Sequence, residues 1–554
     1  MQHQSPTNTD LERGSIKSEK CSSKGGFFAE VMYYNGVKLV PYSGNQAELT
    51  GENKDTTVHS YAMESSTSTT PRTSSPGPRV TTDTFEPVHP EYFLSIEEES
   101  EKHPYKWSKW KRGYVVLLYA LTSFGTQIST SMFGQSIGDI GERFNISRPV
   151  AMLLTTVFML GMALGPMFIA PVTEKYGRKV GILTPYTVSA VICLASYPVN
   201  SLPAVMVLRF FGGFFSSAPI ISSGGALKDM FEPGVRAHIL LGYAVLVASG
   251  PAFGPIIGGS VAQSLGDYTY IYLITGGYMM VTALISIVAI KESYRPRLEE
   301  IEAKKMSKQF PKTTFLTKHT ITGKKLSMTK YLVTPYKLLF SHLMFWLSLY
   351  ACLAFGIMYL GAACMPSITK NLFGWNTGKA SLFNISQFVG ILIGTVINIV
   401  INNLYSKHNK DVKNGLVEWH PEMRFSTMIM GGFLIAIGFL ILWLAHNVGW
   451  YTVAIAQVCL GAGFFPIFQA TLNYVIDIHG DWSASAVSAI TFLRSIAAGV
   501  TPLISTFMLE ELGLTKFSII MFSISLATSV VPIIMYISWA NLRKSNPYTL
   551  NYPQ

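Results

Sequence analysis

The run Gly250-Pro251-Ala252-Phe253-Gly254-Pro255-Ile256-Ile257-Gly258-Gly259 decides how this chain folds. Gly250, Gly254 and Gly258 recur every four residues, so on a helix they share one face and leave a groove where another backbone approaches closely. Pro251 and Pro255 each remove a ladder hydrogen bond and permit a bend. The ten residues hold no charge, and the apolar sequence around them runs through residues 237–263. A segment of that length crosses the ~30 Å hydrocarbon layer of a bilayer. In lipid every backbone amide must bond within its own segment, so the segment is a helix. The glycines and prolines thus form a pliable, tightly packed seam inside a membrane helix.

Eleven further segments have the same character: 113–134, 150–170, 180–200, 203–224, 270–291, 340–365, 379–402, 424–446, 451–476, 484–509 and 516–540. Of the 554 residues, 49% are hydrophobic and only 14% are charged. The mean hydropathy is +0.31. A soluble chain carries about a quarter charged residues, so an ordinary soluble enzyme and a disordered scaffold are both excluded. The expected fold is an all-α membrane protein of 12 transmembrane helices.

The polar connector 292–339 divides the spans six and six, and with Lys291 it carries twelve Lys/Arg against four Glu. Positive charge marks the cytosolic side, which places both termini inside. Two six-helix halves follow, 113–291 and 340–540. An internal echo supports a repeat: Gly213–Phe215, Pro219 and Asp229 in the fourth span, Gly463–Phe465, Pro466 and Asp477 in the tenth. Residues 1–112 read as a disordered cytosolic tail. Residues 60–82 are mostly Ser, Thr and Pro, 97–101 are acidic, and only Phe27–Val40 has a hairpin pattern. Residues 541–554 read as a short cytosolic tail. The opening MQHQSPTNTDLERGSIKSEK has no apolar h-region, so the first membrane helix is expected to act as the insertion signal. The net charge of +11 belongs to the loops and does not indicate nucleic acid.

Several residues stand out against this background. The turn Pro171-Val172-Thr173-Glu174-Lys175-Tyr176-Gly177-Arg178-Lys179 pairs one acid with three bases, and Glu174 suits the positive N-terminal end of a neighbouring helix. Arg209 and Arg494 lie inside spans, which they tolerate only facing a cavity, a partner or a carbonyl. The spans hold no acid near their middle; Asp229, Asp477, Glu510 and Glu511 all lie at ends. Gln127 and the aromatic and sulfur side chains Tyr350, Phe355, Met358 and Tyr359 are candidates for a substrate cavity. Asn145-Ile146-Ser147 is a glycosylation sequon on the first outer loop. The five cysteines lack metal-site or C-x-x-C spacing, and neither a nucleotide-binding loop nor H-E-x-x-H occurs, so no cofactor, metal site or enzyme activity is expected.

Two of these motifs resemble the major facilitator superfamily: Gly250–Gly259 its antiporter motif, and Pro171–Lys179 its loop between the second and third helices. The runs Leu208-Arg209-Phe210-Phe211-Gly212-Gly213-Phe214, Ala226–Phe231, Tyr474–Asp477 and Thr491–Ser495 are similar to the fungal twelve-span drug:proton antiporters, the branch of polyamine, cycloheximide and azole exporters. Ala170 and Glu174 stand where the superfamily commonly has Gly and Asp. The resemblance implies a proton-coupled exporter of small drug-like, cationic or amphipathic compounds working by alternating access. It implies a cytosolic gate of Glu174, Arg178 and Asp229, intramembrane charges at Arg209, Arg494 and Asp477, and Gly250–Gly259 as the seam between the halves. The expected partners are the solute, the proton and the lipid bilayer, for a monomer in the plasma membrane (or the vacuolar membrane). A nutrient importer or facilitator and a non-transporting sensor share the same pattern.

Overall fold

The computed structural model describes residues 16–22, 28–34, 37–41, 91–97, 99–311, 313–317, 328–413, 422, 424–479 and 483–544. They divide into two compact units, one of residues 1–103 with 298–323 and one of 104–297 with 324–554.

The larger unit is helical. Its N-terminal part runs through α1 (Lys109–Ser131), α2 (Ile137–Phe144), α3 (Arg148–Tyr176), α4 (Arg178–Ala195), α5 (Leu202–Met230), α6 (Pro233–Leu265) and α7 (Tyr270–Ala289). After α8 (Arg295–Gln309), which belongs mostly to the smaller unit, come α9 (Met328–Leu339), α10 (His342–Phe373), α11 (Thr377–Leu382) and α12 (Ile385–Lys413). The chain ends with α13 (Arg424–Val448), α14 (Trp450–His479) and α15 (Ser483–Lys544). Among the described residues ten helical segments are long and apolar enough to cross a membrane, two of them within α15. The other two expected spans are the helices α1 and α4. Thr122, Ser123, Thr126, Gln127 and Ser129–Ser131 make α1 less apolar, and α4 has only 18 residues, beginning on Arg178-Lys179. The eleventh and twelfth spans run on as one 62-residue element, broken where Gly513 takes φ 72° and ψ 168°.

Within the N-terminal half α1 packs on α6, α3 on α5, and α4 on α5 and α7; within the C-terminal half α10 packs on α15, and α14 on α12 and α13. The halves meet where α3 lies on α15 and where α6 lies on α11 and α12. A buried cluster spans this junction: Phe158, Met159 and Met162 from α3, Phe355, Met358 and Tyr359 from α10, and Phe464 and Phe465 from α14. Apolar burial thus holds the halves together.

The smaller unit corrects the expectation of a disordered tail. It holds a five-stranded sheet in the order β1 (Ile16–Ser22), β2 (Phe28–Tyr34), β3 (Val37–Pro41), β4 (Glu91–Ser95) and β5 (Thr314–Leu316). The first four strands are antiparallel neighbours, and β5, from the connector, runs parallel to β4. Strands β2 and β3 pair Met32 with Leu39 and Tyr34 with Val37, the hairpin pattern read at Phe27–Val40. The tail alone lacks the apolar area to order itself, but the connector supplies a cover. Ala303 and Met306 of α8 bury with Val37, Leu39 and Leu94. Glu299 Oε1 accepts from the amide of Ile96 at 3.1 Å, and Lys102 pairs with Glu302 at 2.8 Å. The membrane-spanning unit is all-α, as its apolar segments lead one to expect. Residues 60–82 lie outside the described residues.

Candidate functional site

The glycine seam joins α6 to α1. A Cβ at Gly250 would overlap the Gln127 side chain, one at Gly254 would meet Ser131 and the backbone at Ile128 O and Met132 N, and one at Gly258 would overlap the Met132 carbonyl. Only hydrogen fits at these three positions. Their stripe lies inside the N-terminal half, not between the halves as the resemblance implied. Successive helix positions turn by about 100°, so Gly259 leaves that face, and a Cβ there would strike Ser381 of α11 in the other half. Phe253 stacks edge-on against Phe388 of α12, with ring centroids 5.1 Å apart. One face of α6 is therefore locked to α1 while the neighbouring face meets the opposite half.

Pro255 of the seam also lines a cavity of about 30 Å³ between the halves, together with Ser131, Gln135, Thr156, Tyr359 and Gly499. Tyr359 crosses the junction: its hydroxyl lies 3.0 Å from Thr130 Oγ1 and accepts from Gln127 Nε2 at 3.4 Å. Thr156 Oγ1 donates to the carbonyl of Gly499 at 2.8 Å, a second tie between α3 and α15. Ser131 Oγ and Gln135 Nε2 are buried without partners among the described residues, which leaves polar atoms in this wall free for a ligand. Of the cavity candidates, Gln127 and Tyr359 come together here. Phe355 lies in the wall of a second, water-sized cavity, of about 10 Å³, inside the C-terminal half. Tyr350 and Met358 line neither of these two cavities. The Tyr350 hydroxyl donates to the Met428 carbonyl at 2.7 Å, and Gln387 Nε2 lies 3.0 Å from Met358 Sδ. Thr130, Ser131, Gln135 and Thr156 escaped the sequence reading, although seven polar residues between Thr122 and Ser131 in a membrane helix were the signal.

On the side away from the connector a wider cavity of about 200 Å³ is lined by Arg148, Lys370, Asn371 and Glu510. There Arg148 Nη1 pairs with Glu510 Oε1 at 2.8 Å, and the Gly378 amide donates to Gln263 Oε1 at 2.7 Å. Both contacts join the two halves. Asn145 is exposed beyond α2, with φ 49° and ψ 51°, the left-handed cap that Asn tolerates. The sequon is therefore presented to solvent.

The two arginines inside spans differ. Arg209, 4% exposed, donates from Nη1 and Nη2 to the Ser129 carbonyl at 3.2 Å and from Nε to the Leu154 carbonyl at 3.3 Å. Its guanidinium lies 4.4 Å from the centre of Phe133 and 4.2 Å from that of Phe158. Arg494, 6% exposed, lies 5.0 Å from the ring of Phe355 and 5.2 Å from that of Phe468. Its Nε has no hydrogen-bond partner among the described residues.

At the connector side Arg178 Nε meets Asp229 Oδ2 at 3.3 Å, and Nη1 donates to Thr173 Oγ1 at 3.3 Å. Glu174 does not join them; among the described residues it takes no ion pair. Its expected place at a helix N-terminus belongs to Glu292. That carboxylate accepts from the amides of Arg178 at 2.9 Å and Lys179 at 3.1 Å, and from Ser293 and Tyr294. The reason is electrostatic. Glu174 stands at the C-terminal end of α3, where the helix carries partial negative charge, whereas Glu292 meets the unpaired amides that open α4. Gly177, at φ 95°, makes the turn between them. The C-terminal half repeats the pair: Arg424, opening α13, contacts Asp477 near the end of α14 at 2.9 Å. Asp477 is thus an end-of-helix partner, and Arg424 was legible only through the echo that aligns Asp477 with Asp229.

Residues 119–502 match the family model described as Major Facilitator Superfamily. The efflux pump bik6 of Gibberella fujikuroi is 30% identical over 449 residues, which cover 80% of this chain and 92% of that protein. The probable drug/proton antiporter YHK8 of Saccharomyces cerevisiae is 28% identical over 453 residues, 79% of this chain and 86% of that one. Among solved structures, a bacterial homologue of the human lysosomal transporter Spinster, inward-facing and unoccupied, superposes with a TM-score of 0.50 at 16% identity. That match covers 79% of this chain and 98% of the other, and it is a likeness of fold.

Proposed function

Because this chain belongs to the major facilitator superfamily, and is a multi-pass membrane transporter, we propose that it exports small organic compounds from the cytosol across the plasma membrane, driven by inward proton flow. The observation that carries this reading is a small cavity between the halves, about 30 Å³, closed by ties that each link one half to the other and that must part for a solute to enter. A solute held there passes from one side to the other when the halves part at one end and join at the other, without a continuous pore. The relatives named as an efflux pump and a drug/proton antiporter support the outward direction and the proton. In this reading Arg178–Asp229 and Arg424–Asp477 brace the connector-side ends of the two halves, and Arg209 fixes α1 and α3 around the path.

Cells with and without the protein, loaded with a panel of fluorescent amphipathic compounds, test the proposal. Efflux is expected to be faster with the protein and to collapse when a protonophore dissipates the gradient. Efflux that persists unchanged after collapse removes proton coupling, and faster accumulation in the presence of the protein reverses the direction.

A further inference from the structure

We propose that Lys111 and Lys291 hold the headgroup of an anionic phospholipid on the connector side of the N-terminal half, with its acyl chains lying along α1 and α7. The proposal stands apart from the export reading and shares with it only the placing of the connector in the cytosol. The helix α1 opens on Lys109-Trp110-Lys111-Arg112 and has no acid in its first turn. A helix N-terminus is itself partly positive, so cations there are unfavourable unless an anion joins them. Lys291, two residues beyond the end of α7, adds a further charge. Burial first, and then the charge of Lys291, hold the Lys111 ammonium below its usual range. Among the described residues neither lysine takes an ion pair. The acid next to Lys291 in the chain, Glu292, is engaged by the amides of Arg178, Lys179, Ser293 and Tyr294. Trp107 offers Lys111 a ring face with its centre 3.7 Å from Nζ, which covers one side of the ammonium and leaves donors for an acceptor. Arg112 turns to the Phe231 ring, 5.3 Å away, and its buried Nε finds no acceptor among the described residues.

Topology accounts for bases on this side, but it does not bring the charges of two separate helices to one spot. The helices α1 and α7 pack on each other, and each carries an apolar stripe open to lipid. On α1 the stripe is Trp110, Tyr114 and Leu117, and on α7 it is Val281, Leu284 and Val288. Spacings of three and four residues keep each stripe on one helix face. Both stripes are most exposed at their connector-side ends, where Trp110 is 89% and Val288 86% exposed. Trp110 adjoins Lys111 in the chain, and Val288 stands three residues before Lys291. An exposed tryptophan at a helix end seats its ring at the level of the lipid headgroups. Each stripe therefore runs from acyl-chain depth up to a lysine at headgroup depth. A choline lipid would bring its own ammonium to this pair of cations, whereas a serine or inositol lipid brings net negative charge. Such lipids belong to the cytosolic leaflet, and lysines there draw them.

The test is displacement of a fluorescent phosphatidylserine from the purified full chain in detergent. The competitors are unlabelled phosphatidylserine, phosphatidylcholine with the same acyl chains, and inorganic phosphate. Phosphatidylserine is expected to displace the probe about 30-fold better than phosphatidylcholine, the product of two lysines that each contribute roughly 5-fold. Lys111→Gln and Lys291→Gln are each expected to cut the preference roughly 5-fold, and the double variant to abolish it. Lys516→Gln, which removes an exposed lysine from another part of the chain, is expected to leave the preference unchanged. Should the double variant not fold, the two single variants carry the test. Equal displacement by the two lipids overturns the proposal, as does a preference that survives the double substitution. A loss as large in Lys516→Gln assigns the effect to overall charge and overturns it as well. Displacement by millimolar phosphate as complete as that by phosphatidylserine assigns the lysines to a free anion, which again overturns the lipid site. Binding needs no gradient and no solute, so the outcome is independent of whether the chain exports.

Discussion

Arg209 and Arg494 are one residue type in one setting, a guanidinium inside an apolar helix, and they differ in what surrounds the charge. Arg209 donates to carbonyls of two other helices, so its removal forfeits charged hydrogen bonds to the Ser129 and Leu154 oxygens in a water-poor interior. Hydrogen bonds from a charged donor contribute about 1.5–3 kcal/mol each. Arg209→Met is therefore expected to lower the melting temperature of the purified protein clearly, while Arg494→Met leaves it level or raises it. A larger loss at Arg494 in the same thermal scan would contradict the contact assignment at both sites. The sequence exposes both arginines at once, since charge within a span is rare. It cannot tell them apart, because the partners of Arg209 are backbone oxygens, which any residue type carries.

For elements, the instructive case is the start of α4. Proximity in the chain favours Glu174 as the acid at this turn, yet a helix end is served by the charge that suits its dipole, and Glu174 sits on the wrong end of α3. Glu292, more than a hundred residues away, caps the amides of Arg178 and Lys179. Glu292→Ala is expected to cost about 1–2 kcal/mol, as loss of a helix cap does, whereas Glu174→Gln should stay within about 0.5 kcal/mol, as surface changes do. Thermal melts of the two variants decide it; equal losses would return Glu174 to the site. The same limit on reading long-range partners explains the small sheet. The alternation in Phe27–Val40 marks a hairpin locally, but the cover that buries it comes from Ala303 and Met306 of the connector. What the chain announces by periodicity is legible, and what it assembles across two hundred residues is not.

On the scale of the molecule, the count of spans and the division into halves follow from apolar length and from the basic connector. The direction in which the seam faces does not follow, because a stripe of glycines announces a close neighbour without naming it. Its neighbour is α1 of the same half, so α1 and α6 move together as one body, and relative motion of the halves must occur elsewhere. On the side away from the connector the halves are joined by Arg148–Glu510 and by Gln263 with the Gly378 amide. The ion pair is 65% and 52% exposed on its two side chains, and exposed pairs contribute about 0–1 kcal/mol. Such ties are weak enough to break in every cycle of the proposed alternating access. A covalent tie there should not be. Gln263→Cys with Gly378→Cys, in a background without other cysteines, places two thiols across the junction. The shorter side chain at 263 makes room for the Cβ that Gly378 lacks. Bridging them with a short reducible bis-thiol reagent is expected to stop solute flow in vesicles, and reduction to restore it, while the unbridged variant transports. Undiminished flow through the bridged protein would mean that solute crosses without the halves parting at this end.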